Sequence, residues 1–403
     1  EGASLFFERE LSDLSPVGEI GMLRLIGEMN DGLAYPGPKG VSRNRAADFF
    51  PGVAVSPFKA REAELMAQYV KLRKKIAAGA RFVVTQLGYD ARKFHELMRF
   101  MALNGFNMPV VGNIYVLPFG AAKIMNENRL PGCVVPDKLL TDLDRERQAP
   151  DKGMEARLLR AARMYAFMQG MGFSGVHIGG HGVKYDQVLF IVEKGEELSR
   201  NWRDLVHEFD YPQPGGFYLF ERDEATGLNR DVPIRLHDRP LEAAVGFVYR
   251  LSRVFHRLMF EPGRNLFGPM QCLSRAMDGR SSGELFHWIE HLSKVLLYDC
   301  RDCGDCALTD AAYICPMSRC PKQQRNGACG GSREGYCEVH PGERLCVYVK
   351  AYSRLKRYGE NMGAYEVPPC NWDLYQTSSW INFYLGRDHS AERFGIAEVQ
   401  TKG

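Results

Sequence analysis

The sequence predicts an α/β fold: a run of parallel βα units with barrel-like spacing, followed by a mostly helical segment rich in cysteine. Three observations carry that expectation. Nearly continuous apolar runs alternate with helical patterns over roughly the first half of the chain, the runs recur about every thirty residues, and eight cysteines crowd between positions 300 and 346.

The apolar runs lie at 49–55, 82–86, 109–116 and 175–178. Strands apolar on successive residues are those buried on both faces, as in parallel sheets. Amphipathic stretches at 60–78 and 92–103 follow the first two runs, and the longer third interval holds room for two helices, near 137–147 and 154–170. Upstream, Leu14, Val17, Ile20, Leu23, Leu25, Ile26 and Met29 recur at helical spacing, so 12–30 is expected as a helix. A loop is expected at Tyr35-Pro36-Gly37-Pro38. Only four βα units are visible where a closed barrel needs eight, which leaves half a barrel or an open sheet. Residues 215–235 read as a hairpin turning near Gly227, and helices are expected at 240–259 and 283–298. The tail from Tyr365 carries Trp372, Tyr375, Trp380, Phe383 and Tyr384 and reads as a segment wrapped over the domains. The expected division is therefore 1–210 for the βα region, 211–239 for the hairpin linker, 240–364 for the helical, cysteine-rich part and 365–403 for the tail.

Composition narrows the function. The chain has 403 residues, 45% of them apolar and 25% charged, with a net charge of +3. That balance suits a globular protein and provides no strong field for nucleic acid or an anionic membrane. No apolar run reaches the ~18 residues needed to span a bilayer, and no signal peptide is visible. A cytoplasmic location without membrane insertion is expected. The chain opens on Glu1, which reads as a cut rather than a start.

Of eleven cysteines, Cys133, Cys272 and Cys370 stand apart. Cys300, Cys303 and Cys306 are each separated by two residues, and Cys315, Cys320, Cys329, Cys337 and Cys346 follow. Clustered cytosolic thiols more often bind metal or do redox work than form disulfides. Three cysteines at intervals of three, plus Cys-Pro steps at Cys315-Pro316 and Cys320-Pro321, resemble ligation of cubane iron–sulfur clusters. Eight ligands suffice for two [4Fe–4S] clusters. Structural zinc is the alternative, although its knuckles favour closer cysteine pairs than the later intervals here. Buried thiols without metal are the third reading.

Parallel α/β folds place chemistry at the C-terminal ends of their strands. Those ends carry Ser56, Gln86, Asn113, Tyr115, His177 and His181 here. Gln86 offers both a donor and an acceptor, suited to the amide edge of a heterocycle, or to an ordinary loop hydrogen bond. His177 and His181 read as acid/base or ligand candidates, or simply as hydrogen-bonded side chains.

Several segments resemble the second half of methylenetetrahydrofolate reductase. They are Phe50-Pro51-Gly52-Val53-Ala54-Val55-Ser56-Pro57-Phe58, Leu72-Arg73-Lys74-Lys75-Ile76, Val84-Thr85-Gln86, Gly112-Asn113-Ile114-Tyr115-Val116-Leu117-Pro118-Phe119 and Gly175-Val176-His177-Ile178. The cysteine segment, with Phe383-Tyr384-Leu385-Gly386-Arg387-Asp388-His389 beyond it, is similar to the C-terminal domain fused to non-classical members and to a separate iron–sulfur subunit in acetogens.

The resemblance implies the second half of a (βα)8 TIM-type barrel that reduces 5,10-methylenetetrahydrofolate to 5-methyltetrahydrofolate with a flavin, FAD or FMN. It implies that Gln86 and Phe119 contact folate and that Lys75 and the position of Ser56 contact flavin. Two departures stand out. Ser56 replaces a flavin-stacking tyrosine, and the family's first four βα units, which carry its catalytic acid, have no counterpart here, so no catalytic residue is assigned. An N-terminal half-barrel partner, an electron-donor protein and an oligomer or complex are expected. The alternatives are a non-catalytic iron–sulfur electron-transfer or scaffold subunit, and a zinc-stabilised folate-binding or methyl-transfer protein.

Overall fold

The four apolar runs become four parallel strands. A computed structural model describes residues 18–37, 40–360 and 367–398, which fall into two units. An α/β unit comprises Ile26–Arg239 and Gly330–Arg344. A helical unit is built from the described residues of Pro240–Cys329 and Leu345–Gly403, with those up to Leu25.

The chain enters through helix α1 (Glu19–Asn30), so the start of the expected 12–30 helix lies outside the described residues. The expected loop at Tyr35 is instead an antiparallel ribbon of β1 (Ala34–Gly37) and β2 (Gly40–Arg43). Every strand of a two-stranded ribbon is an edge strand, where a proline without an N–H is tolerated.

Strands β3 (Gly52–Val55), β4 (Phe82–Thr85), β5 (Val110–Tyr115) and β6 (Gly175–Gly179) lie side by side in that order, all parallel. Helices α2 (Glu62–Ala77), α3 (Ala91–Leu103), α4 (Phe119–Asn126), α5 (Asp137–Glu146), α6 (Met154–Gly170) and α7 (Tyr185–Leu198) intervene or follow. The sheet alternates in burial. Val53, Val55, Val83, Thr85, Val110, Gly112 and Ile114 are buried, while Ala54, Val84, Asn113, Tyr115 and His177 are half-buried or exposed. Gly112 sits against Met168 of α6, where a Cβ would lie 2.4 Å from the sulfur. Rings of Phe58, Phe94, Phe167, Phe173 and Phe209 pack into the core, mostly edge to face.

Helix α2 buries charged residues as well as apolar ones, because the returning segment Gly330–Arg344 packs on its side of the unit. Lys59 donates to the carbonyls of Gly330 and Ser332, and Glu64 accepts from the Gly335 N–H at 2.9 Å. That segment carries the ribbon β9 (Tyr336–Cys337) and β10 (His340–Leu345). The hairpin expected at 215–235 is present as β7 (Phe220–Arg222) and β8 (Asn229–Pro233) and belongs to the α/β unit. It is held to α3 by a buried pair: Lys93 meets Glu96 at 2.9 Å and donates to the Phe217 carbonyl, while Glu96 accepts from the Leu219 N–H.

In the helical unit, α8 (Phe247–Met259) starts later than expected, after the Pro240 to Gly246 stretch. Helix α9 (Phe267–Met277) was not foreseen from sequence; Gly268 and Pro269, both poor helix formers, lie in its first turn. Pro269 sits in its first turn, where no intrahelical N–H is needed. Helices α10 (Ser281–Tyr298), α11 (Val347–Lys356), α12 (Ser379–Tyr384) and α13 (His389–Arg393) complete the unit. The aromatic tail forms part of the unit's own core: Phe383 and Tyr384 pack on Phe260, and the Tyr384 hydroxyl donates to the Met259 carbonyl at 2.6 Å.

Removing one charge of the Lys93–Glu96 pair leaves the other buried and unpaired, a loss of about 3–5 kcal/mol. Lys93→Ala is therefore expected to lower the urea midpoint sharply, and Lys93→Met/Glu96→Gln to lower it less. Equal losses would contradict charge pairing as the cause.

Candidate functional site

Two groups of side chains deserve chemistry, one in each unit. In the α/β unit the strand ends bring Ser56, Gln86, Asn113 and His177 to the same edge of the sheet, the C-terminal ends of β3 to β6. Ser56 is 6% exposed, and its hydroxyl has no hydrogen-bond partner among the described residues. The side-chain oxygen of Gln86 accepts from the Leu87 N–H at 2.8 Å. Its amide nitrogen lies beside Gly132, whose φ of 81° favours glycine. The Asn113 amide oxygen lies 3.3 Å from His177 Nδ1, and the Asn113 N–H donates to the Thr85 hydroxyl.

The other candidates are placed differently. Phe119 opens α4 with the Arg147 guanidinium 4.1 Å over its ring. Lys75, in the last turn of α2, is buried and donates to the Ala54 carbonyl at 2.9 Å. His181 is exposed in the turn after β6. Asp90 caps α3 through the Arg92 N–H and accepts from the Tyr218 hydroxyl at 2.5 Å, so it has a structural task.

In the helical unit, α10 ends on Asp299, in the left-handed region, and releases the loop holding Cys300, Cys303 and Cys306. Gly304 has φ 68°, and a Cβ there would lie 1.7 Å from the Leu374 carbonyl oxygen. Only glycine fits. Cys300, Cys303, Cys306 and Cys315 carry free thiols that interact electrostatically with one another. Burial pushes the Cys300 and Cys306 thiols up to about 12, with each neighbouring sulfur adding to the effect. The Cys300 sulfur accepts from the Asp302 N–H at 3.4 Å. Cys370, left apart by sequence, joins this group: its thiol and that of Cys303 share a hydrogen bond that raises Cys303 and lowers Cys370.

Lys294 of α10 lies close enough to Cys300 and Cys306 for their charges to act on it. Its ammonium meets Glu290 at 2.5 Å and donates to the Ser379 hydroxyl. Cys320 and Cys346 both act on the buried Tyr348, whose hydroxyl donates to the carbonyls of Gln324 and Arg325. Cys337 belongs to the α/β unit, on β9, whereas the other seven cysteines of the run belong to the helical unit. Among the described residues, no three cysteine, histidine or acidic side chains stand in a geometry ready to hold a metal ion.

A buried ionic chain holds the cysteine loop. Asp305, between Cys303 and Cys306, meets Arg325 at 2.8 Å and His389 Nδ1 at 2.5 Å. His389 Nε2 meets Asp310 at 2.9 Å, and Arg393 closes the chain on Asp310 at 2.5 Å. Burial alone would raise Asp305 and Asp310, but the His389 hydrogen bonds and the guanidinium charges pull both down to about 2. Burial likewise opposes charge on His389, yet bonds to both carboxylates raise it to about 9. The Asn382 side chain also donates to the Gly304 carbonyl at 3.1 Å. None of these residues was singled out from sequence. The acids inside the cysteine run and the Asp388-His389 step were the available signals.

The geometry defines a class: a parallel α/β unit with polar side chains at its strand ends, joined in one chain to a thiol-rich helical unit. The description "Methylenetetrahydrofolate reductase" matches residues 41–179, and "Methylene-tetrahydrofolate reductase C terminal" matches residues 280–373. The chain is a member of the methylenetetrahydrofolate reductase family. No curated protein matches it significantly. Among the described residues, no helix is long and apolar enough to cross a membrane.

His389, raised from 6.5 to about 9, contributes stability that is full below pH 6.5 and is lost as pH rises through 9. Asp305 and Asp310, lowered from 3.8 to about 2, contribute stability that is full above pH 3.8 and is lost as pH falls through 2. Scanning calorimetry should show Tm falling by several degrees between pH 6.5 and 9. His389→Gln should have a lower Tm at pH 6 and a flatter profile. An unchanged profile would contradict the assignment.

Proposed function

We propose that this chain is a methylenetetrahydrofolate reductase-like oxidoreductase, or the C-terminal part of one, that converts 5,10-methylenetetrahydrofolate to 5-methyltetrahydrofolate in the cytoplasm. The observation that carries the reading is the union in one chain of two matched regions of that family, one on the parallel sheet and one on the cysteine segment. The strand ends support a folate site. Gln86 has its amide oxygen fixed by the Leu87 N–H, which orients the amide nitrogen to donate to an acceptor on the edge of a pterin. The Phe119 ring, backed by Arg147, offers an apolar face for the same substrate.

The unpartnered, buried Ser56 hydroxyl fits a polar edge of a flavin, FAD or FMN, and Lys75 would set the backbone of β3 beside it through Ala54. A bound flavin supplies the hydride equivalent for the methylene carbon. The protein's own share is to orient the pterin, exclude water and fix the strand ends.

The donor set of the cysteine segment fits soft metal centres. Within the helical unit, Cys300, Cys303, Cys306 and Cys315 would hold one [4Fe–4S] cluster and Cys320, Cys329 and Cys346 supply three thiols toward a second, with zinc as the competing occupant. The N–H aimed at the Cys300 sulfur and the Lys294 ammonium suit a site that gathers negative charge, and they oppose the burial that pushes the Cys300 and Cys306 thiols up.

One observation favours a second reading, an iron–sulfur electron-transfer or scaffold subunit whose barrel is completed by a partner. Among the described residues β3 and β6 each pair along one edge only, and a cavity of about 550 Å³ beside β6 is lined by Tyr165, Phe173, Val176, Ile178, Val188 and Val192. A parallel sheet with a bare face and two open edges is incomplete as a core.

Titration of the anaerobic protein with methylenetetrahydrofolate tests the first reading. Gln86→Ala is expected to weaken binding roughly tenfold or more, since a lost polar contact in a buried site costs about 1–3 kcal/mol. Unchanged affinity would remove Gln86 from the site. Reduction by a viologen donor, absent until a half-barrel partner is added, would favour the second reading.

A further inference from the structure

Helices α8 and α10 of the helical unit are turned inside out. On α8, Phe247, Val248, Leu251, Val254, Phe255 and Leu258 are exposed, while Tyr249 and Ser252 are buried. On α10, Leu285, Trp288, Ile289, Leu292, Val295 and Leu296 are exposed, while Glu290 and Lys294 are buried. The exposed positions recur every three or four residues, so each helix presents one continuous apolar stripe outward, and α10 keeps Glu290 and Lys294 inward. The helices are neighbours, joined on their buried sides by the Ser252 and Tyr298 hydroxyls at 2.5 Å.

We propose that these two stripes form the interface of a homodimer. Twelve exposed apolar side chains present on the order of 1,000 Å² of apolar surface, above the roughly 300–600 Å² of the largest patch on a typical monomer. That area is close to the about 800 Å² per partner buried in a standard interface. Stripes at heptad-like spacing on two adjacent helices can meet their own copies across a two-fold axis as a four-helix arrangement. The exposed charges of the two helices are opposite in sign, as an interface between copies can use: α8 carries Arg250 and Arg257, and α10 carries Glu284, whereas Arg253 is already paired with Glu360. A membrane surface would instead favour a basic rim on both helices.

Sedimentation equilibrium of the full chain at micromolar concentration is expected to give twice the 45.6 kDa chain mass. Leu251→Glu combined with Trp288→Glu should weaken association at least a hundredfold while leaving the far-ultraviolet circular dichroism unchanged. Hydrogen exchange of the wild-type protein on dilution should show amides of α8 and α10 losing protection together, a readout that holds even if the double variant fails to fold. A wild-type monomer throughout that range, or a dimer that the substitutions leave intact, overturns the proposal. A monomer that co-sediments with phosphatidylserine vesicles overturns it in favour of a membrane surface.

Discussion

The helical unit depends on a carboxylate in an unusual place. Asp305 lies within the cysteine loop, almost fully buried, and is ionised only because Arg325 and His389 both reach it. Removing a buried ion's partner strands its charge, so the loop, the Arg325 segment and the tail helix α13 are tied to one geometry. The same constraint sets the thiols. Cys303 and Cys306 flank Asp305, and Gly304 between them has no room for a side chain. This chain of charges fixes the backbone of the thiol loop without using a sulfur.

Each unit, described by itself, leaves surface that an isolated fold would normally cover. The parallel sheet has helices over one face and exposed or half-buried residues such as Ala54, Asn113 and His177 on the other. The helical unit keeps Glu290 and Lys294 inside and Trp288 and Leu296 outside. Both features follow from the burial pattern of the strands and helices.

Much of the α/β unit was legible because its signals are local. Four apolar runs gave four strands, and the intervals at 60–78, 92–103, 137–147 and 154–170 gave helices. Misses had identifiable causes. The β1–β2 ribbon was hidden by Pro36, and α9 by Gly268 and Pro269. The return of Gly330–Arg344 to the α/β unit rests on long-range contacts from Lys59 and Glu64 that no periodicity reveals. At the sites, spacing alone marked the cysteine run, and Gln86 was marked by its place at a strand end before the resemblance added to it. The ionic chain through His389 and the approach of Cys370 to Cys303 join residues more than sixty positions apart and could not be read from spacing.

Joint binding of metal by the sulfurs of the cysteine segment is what we propose for the helical unit. X-ray absorption at the iron and zinc edges of the anaerobically purified full chain, with acid-labile sulfide measured on the same sample, tests it directly. The account predicts iron with an all-sulfur first shell and inorganic sulfide in comparable amount. Zinc in an all-sulfur shell without sulfide would replace clusters by structural ions, and a chain holding neither metal would contradict the claim outright.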